Sequence, residues 1–160
     1  NSARIAKKRA MTSILRSAAF TFLAVVAFTA PAIAQASAAG RIDRLSGTAV
    51  ILRAGAQVPL KTGDTVLETD VLRTGPDGRI GVTLKDDTRL SLGPASEVRV
   101  EKFLYAPSEG KIALGLRVVR GLVAYVSGRI AKIAPDAVRL ETPAAIVGVR
   151  GTTLVIQAEE

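Results

Sequence analysis

The chain has 160 residues, with 22 Lys and Arg against 14 Asp and Glu and a formal net charge of +8. It contains no Cys and no His. That removes disulfide staples, Cys and His nucleophiles, His general bases, Ser-His-Asp triads and nearly all zinc sites at once.

In chain order the first element is a targeting segment, residues 1–34. Arg4, Lys7, Lys8, Arg9 and Arg16 form a basic stretch, and an uncharged run of 13 residues, Ala18 to Ala30, follows it. These are the n-region and h-region of a signal-peptide helix. Pro31 then breaks the helix, and Ala32-Ile33-Ala34 sets small residues for cleavage before Gln35; Ala36-Ser37-Ala38 offers a second site. Met11 is a candidate true start, because Met11 to Ala34 alone makes a compact signal peptide. The competing reading is a single uncleaved N-terminal anchor. A span needs roughly 20 apolar residues, and the run from Ala18 to Ala34 reaches 17 only by counting Pro31 and the Thr residues. Either reading places the remainder on the periplasmic, extracytoplasmic side. With cleavage, no transmembrane domain is left.

Residues 1–34 hold five of the 22 basic residues and none of the 14 acidic ones, so the remainder carries 17 against 14, a net +3. The high overall charge is therefore partly a property of the targeting segment and gives no ground for a nucleic-acid partner. About 126 residues remain, one domain's worth. Residues 35–45 read as a short leader or linker, and residues 46–157 as an all-β domain.

Within that domain period-2 alternation is the main signal. Arg79 to Lys85 sets Ile80, Val82 and Leu84 on one face. Asp86-Asp87 makes a tight turn into Thr88 to Leu92, with Leu90 and Leu92 inward. Glu97 to Val100 alternates, and so does Lys111 to Val118, with Ile112, Leu114, Leu116 and Val118 on one side. Four runs are more uniformly apolar: Ala49 to Leu52, Leu122 to Val126, Ile146 to Val149 and Leu154 to Ile156. Those predict strands covered on both faces. Gly and Pro punctuation every 8 to 12 residues points to a β-sandwich or a twisted antiparallel β-solenoid or roll of short strands. Leu60-Lys61-Thr62-Gly63 returns as Leu72-Arg73-Thr74-Gly75 twelve residues later, a spacing that suits one solenoid rung or a common strand ending.

Chemistry is sparse. Asp64, Asp70, Asp77, Asp86 and Asp87 fall at turns, where Asp caps its own backbone; their spacing matches no calcium loop. Glu97, Glu101 and Glu141 are the acids a glycosidase pair would need, yet they occupy solvent-facing strand positions. No local motif supports a Ser-Lys arrangement. Arg117, Arg120, Arg129, Lys132 and Arg139 form either a patch for an anionic partner or ordinary surface charge. Arg150-Gly151-Thr152 interrupts an apolar stretch, and Gly151 predicts a bulge or bend; at a sheet edge this strand could accept a partner strand. No catalytic, cofactor-binding or metal-binding residue is expected, and the chain is not expected to be an enzyme.

Five blocks, in order, resemble the FecR-type extracytoplasmic domain: Gly63-Asp64-Thr65-Val66; Asp70-Val71-Leu72-Arg73-Thr74-Gly75; Gly78-Arg79-Ile80-Gly81-Val82-Thr83-Leu84; Thr88-Arg89-Leu90-Ser91-Leu92-Gly93-Pro94; and Thr142-Pro143-Ala144-Ala145-Ile146-Val147-Gly148-Val149-Arg150-Gly151-Thr152-Thr153. Where this family usually has Asp-Gly-Thr in the hairpin turn, this chain has Asp86-Asp87-Thr88. The resemblance implies an all-β fold and a periplasmic binding module in cell-surface signalling or assembly, touching an envelope protein or polymer. A structural envelope protein that binds polysaccharide or peptidoglycan is the alternative. The best-known members carry a cytoplasmic anti-sigma segment; the 17 residues ahead of the apolar run are too few for one, so sigma-factor control is not carried over. The motif positions Gly63, Asp64, Asp70, Thr74, Gly75, Gly78, Gly148, Arg150, Gly151 and Thr152 are read as structural.

Overall fold

The computed structural model describes residues 36–149 and 151–159. Residues 1–34, expected to be a targeting segment, and Met11 within them lie outside the described residues. The expected all-β class holds: twelve strands and one short helix follow in chain order. They are β1 (Ala38–Ser46), β2 (Ala49–Arg53), β3 (Ala56–Pro59), β4 (Thr65–Leu67), β5 (Val71–Thr74) and β6 (Arg79–Leu84). Next come β7 (Arg89–Leu92), β8 (Glu97–Ala106), β9 (Lys111–Val126) and the helix α1 (Arg129–Ile133). β10 (Val138–Glu141), β11 (Ile146–Gly148) and β12 (Thr153–Ala158) complete the chain.

All twelve strands belong to one hydrogen-bonded network, which curls on itself and divides at β9. The C-terminal half of β9 lies between β7 and β12, in a front sheet ordered β4-β1-β6-β7-β9-β12. Its N-terminal half lies between β8 and β10, in a rear sheet ordered β3-β2-β5-β8-β9-β10-β11. Neighbouring strands are antiparallel except β9 and β10, which run parallel. Inward side chains of both halves meet in one core that includes Ile42, Leu72, Leu90, Leu114, Tyr125 and Leu140. These are curled sheets of antiparallel neighbours and not stacked solenoid rungs. Accordingly the two Leu-x-Thr-Gly blocks are not equivalent: Leu60 to Gly63 is the loop after β3, whereas Leu72 to Thr74 is strand β5.

What bends β9 is Gly121, at φ +87°. A side chain there would enter the backbone and hydroxyl of Ser96, so this crossing point requires a residue without Cβ. Ser96 is fully buried and ties the corner: its Oγ accepts from the Leu122 amide at 3.0 Å. Its own amide donates to Thr74 Oγ1 at 2.8 Å.

Two expectations are corrected. Residues 38–45 are not a leader but most of β1, paired to β4 and β6, with Ala39 and Ile42 fully buried. A bulge between Ile42 and Arg44 leaves Asp43 and Arg44 both exposed and hides the alternation that marks the other strands. Nor are the uniformly apolar runs covered on both faces. Leu122, Val126, Ile146 and Val155 are exposed, because no second layer lies over the outer sides of β9, β11 and β12 among the described residues.

Candidate functional site

Asp64, Asp70 and Asp86 act on neighbouring backbone amides, as their positions predicted, whereas Asp77 reaches the distant Thr48 and Asp87 makes an ion pair. Asp64 accepts from the Lys61 amide at 2.8 Å and Asp77 from the Thr48 amide at 3.3 Å. Asp70, 1% exposed, accepts from the Leu67 amide at 2.6 Å and takes both Nε (2.8 Å) and Nη2 (2.7 Å) of Arg53. Those hydrogen bonds hold the Arg53 guanidinium above its ordinary pKa. Asp86 is fully buried and joins the β6–β7 turn to α1. Its carboxylate accepts from Thr88 Oγ1 (2.7 Å), the Thr88 amide (3.2 Å) and the Ile130 amide (3.2 Å). Beside it Asp87 takes φ +67° where the family usually has Gly, and its carboxylate meets Arg129 Nε at 2.8 Å.

The remaining described motif residues make the following contacts. Thr74 Oγ1 donates to the Gly93 carbonyl at 2.7 Å. Gly75 and Gly78 close the corner against Thr48: the Gly75 amide donates to its carbonyl at 2.8 Å, and a side chain at Gly78 would strike that same oxygen. Gly63 ends the loop after β3 by donating to Ile42 O at 2.8 Å. Gly148 closes β11. Gly151, at φ +141°, and Thr152 form the bend before β12 and hold Ser127 through their carbonyls. Arg150 lies outside the described residues. Among the described residues β12 pairs only with β9, so that its other edge is without a strand there.

The expected basic patch is mostly paired. On the outer side of the rear sheet Arg73 meets Glu97 at 2.9 Å, and Arg117 bridges Glu101 (2.9 Å) and Glu141 (2.6 Å). Arg139 also reaches Glu141, at 3.5 Å. Two of the three acids considered for a glycosidase pair, Glu101 and Glu141, thus share one guanidinium.

The outer side of the front sheet is different. Strand register aligns three rows across it. The middle row runs Arg44, Gly81, Ser91, Ala124, Val155. To one side stand Ser46, Arg79, Gly93, Leu122 and Gln157; to the other Arg41, Thr83, Arg89, Val126 and Thr153. Small side chains in the middle row, beside the longer Arg79 and Leu122, make a trough of about 740 Å³, floored by Gly81, Ser91 and Ala124 and walled by Leu45, Leu122, Val155, Arg44 and Arg79, with the Arg89–Val126 row flanking it. Leu122 is 47% and Val155 61% exposed. Arg44, Arg79 and Arg89 have no ion-pair partner among the described residues, while Asp43 at the margin pairs with Arg41 at 3.8 Å. The face is apolar over β9 and β12 and cationic over β1, β6 and β7. Sequence reasoning missed this site, although its trace was present: outward positions of β9 and β12 are apolar where alternation calls for polar residues.

The described residues include no cluster of three or more acidic side chains able to hold a metal, and no helix long and apolar enough to cross a membrane. The family model for the FecR protein matches residues 70–160, more than half of the chain, and the chain belongs to that family. The match starts at Asp70; β1 to β4 precede it, yet Ile42, Ile51 and Val66 sit in the same core. No curated protein and no solved structure matches the chain.

Proposed function

We propose that this chain is a non-catalytic, periplasmic binding module of the FecR family, exported by its N-terminal segment and acting in signalling or assembly by contact with another envelope component. The observation that carries this reading is the trough on the front sheet. Leu122 to Val126 and Leu154 to Ile156 have the composition of strands covered on both faces, and the described chain covers one. Contiguous exposed apolar surface rimmed by polar groups marks an interaction site. A sugar polymer is the weaker occupant, because no aromatic side chain lines the trough to stack on it; Phe103 and Tyr125 are buried in the core.

Photo-crosslinking in cells tests the reading. p-Benzoylphenylalanine at position 62, on the trough rim, is expected to give a discrete envelope adduct, and the same probe at position 99, on the rear sheet, is not. Ser91→Arg, which fills the floor, is expected to abolish the adduct. Equal adducts from both faces would defeat the assignment. Co-sedimentation of the protein with purified cell wall, undiminished by Ser91→Arg, would favour the structural envelope role instead.

A further inference from the structure

From the charge and shape of this face, and resting on the docking role just proposed, we infer that the occupant of the front-sheet trough is an acidic amphipathic helix of a partner protein, its apolar flank over β9 and β12 and its carboxylates over Arg44, Arg79 and Arg89. Charge complementarity is the first argument. Elsewhere several of the exposed arginines are matched within the chain: Arg73 with Glu97, Arg117 with Glu101 and Glu141, Arg129 with Asp87. The three arginines of the front sheet have no such match, and they stand beside exposed Leu122, Val126 and Val155. A surface apolar on one side and cationic on the other is complementary to a ligand apolar on one side and anionic on the other.

Dimensions supply the second argument. Five strands from β1 to β12 span about 19 Å at ~4.8 Å each. Alternate rows stand ~7 Å apart along a strand, so the outer two rows are ~14 Å apart. A helix is ~10–12 Å across with its side chains and covers ~20 Å in about 14 residues. One helix therefore spans the face from the Arg79–Leu122 row to the Arg89–Val126 row, with the trough under one flank.

The N-terminal segment does not have the chemistry of the occupant. Residues 1–35 contain five basic residues and no Asp or Glu. A second copy stacked face to face would set Arg44, Arg79 and Arg89 against the same arginines, with Asp43, already paired with Arg41, as the carboxylate at the margin.

The test uses the isotope-labelled full chain and two synthetic helical peptides of about 14 residues. They share one apolar stripe, and one has glutamates where the other has lysines. The glutamate peptide is expected to shift the amide resonances of Gly81, Ser91, Ala124 and Val155. It should bind on the order of tenfold more tightly than the lysine peptide and lose that margin as salt screens the pair. Arg44→Glu with Arg79→Glu, both exposed and outside the core, is expected to invert the preference. Equal binding of the two peptides, or a preference unmoved by the charge reversal, overturns the inference. So does binding of phosphatidylglycerol vesicles through the same residues in place of the peptide, which would make the ligand a membrane surface. If the peptides fail while the rim crosslink from position 62 persists, docking stands and only the acidic helix is wrong. If the crosslink is absent too, the docking role itself falls.

Discussion

Replacing Asp86 with Ala removes three accepted hydrogen bonds from a site with no access to water. The Ile130 amide loses its partner, the Thr88 amide loses its own, and the Thr88 hydroxyl, which also accepts from the Gly128 amide at 3.2 Å, loses its anchor. A buried donor left unpaired costs about 1–3 kcal/mol, and loss of a helix-capping acceptor about 0.5–2 kcal/mol. Two stranded amides and a freed hydroxyl that can turn toward a new acceptor give an expected loss of about 3–5 kcal/mol. Against a total near 5–15 kcal/mol for a domain, that moves most of the unfolding transition into mild urea. Equilibrium urea denaturation followed by circular dichroism measures it. Asp87→Gly is the matched control one residue away: it relieves the left-handed backbone at φ +67° and gives up only a solvent-exposed ion pair with Arg129, so its midpoint should equal or exceed the parent's. The reasoning fails if Asp86→Ala lies within about 0.5 kcal/mol of the parent, the range of ordinary surface substitutions.

Three further outcomes are expected. Tyr125 has a buried hydroxyl near Ser127 and Thr88 without a hydrogen bond of good geometry, and burial raises its pKa above the ordinary phenol value. The folded state therefore keeps its proton where the unfolded chain loses it, so stability is full below about pH 10 and declines as pH rises beyond that. Tyr125→Phe should be close to neutral at pH 7 and should flatten the alkaline decline in a series of thermal melts. Gly121→Ala forces a Cβ into Ser96 at positive φ and should cost about 3 kcal/mol or more, seen as loss of the β-sheet spectrum or of soluble protein. Asp70→Asn keeps the shape but removes the charge that Arg53 pairs with. With Arg53 partly exposed, water screens the freed guanidinium, and the urea midpoint should fall by about 1–3 kcal/mol equivalent, less than for a fully buried pair.

The inward set of the domain was legible because Ile80, Val82, Leu84, Leu90, Leu92, Leu114, Leu116 and Val118 alternate without interruption, and period 2 is a property of the backbone itself. The turn role of Asp64, Asp70 and Asp86 was legible for a similar reason: an Asp carboxylate reaches its own neighbouring amides whatever the tertiary context. β1 was not, because one extra residue between Ile42 and Arg44 shifts the phase of the pattern midway, and a linear reading of burial then finds no strand. The trough was illegible for a different reason. Gly81, Ser91, Ala124 and Val155 come from four strands, and only the register of those strands shows that three small side chains fall in one row between two taller ones. The deeper role of Asp86 needed the fold as well, since Ile130 is distant in sequence and arrives through the return of β9.

One strand supplying both sheets has a dynamic consequence. Neither half can peel away alone, because the amides of β9 on either side of Gly121 are locked by four different neighbours. Hydrogen exchange along this strand should proceed only when the whole domain opens, with one common protection across the bend. A domain of that kind is a stiff plate, and whatever settles on its front meets a surface already in its final shape.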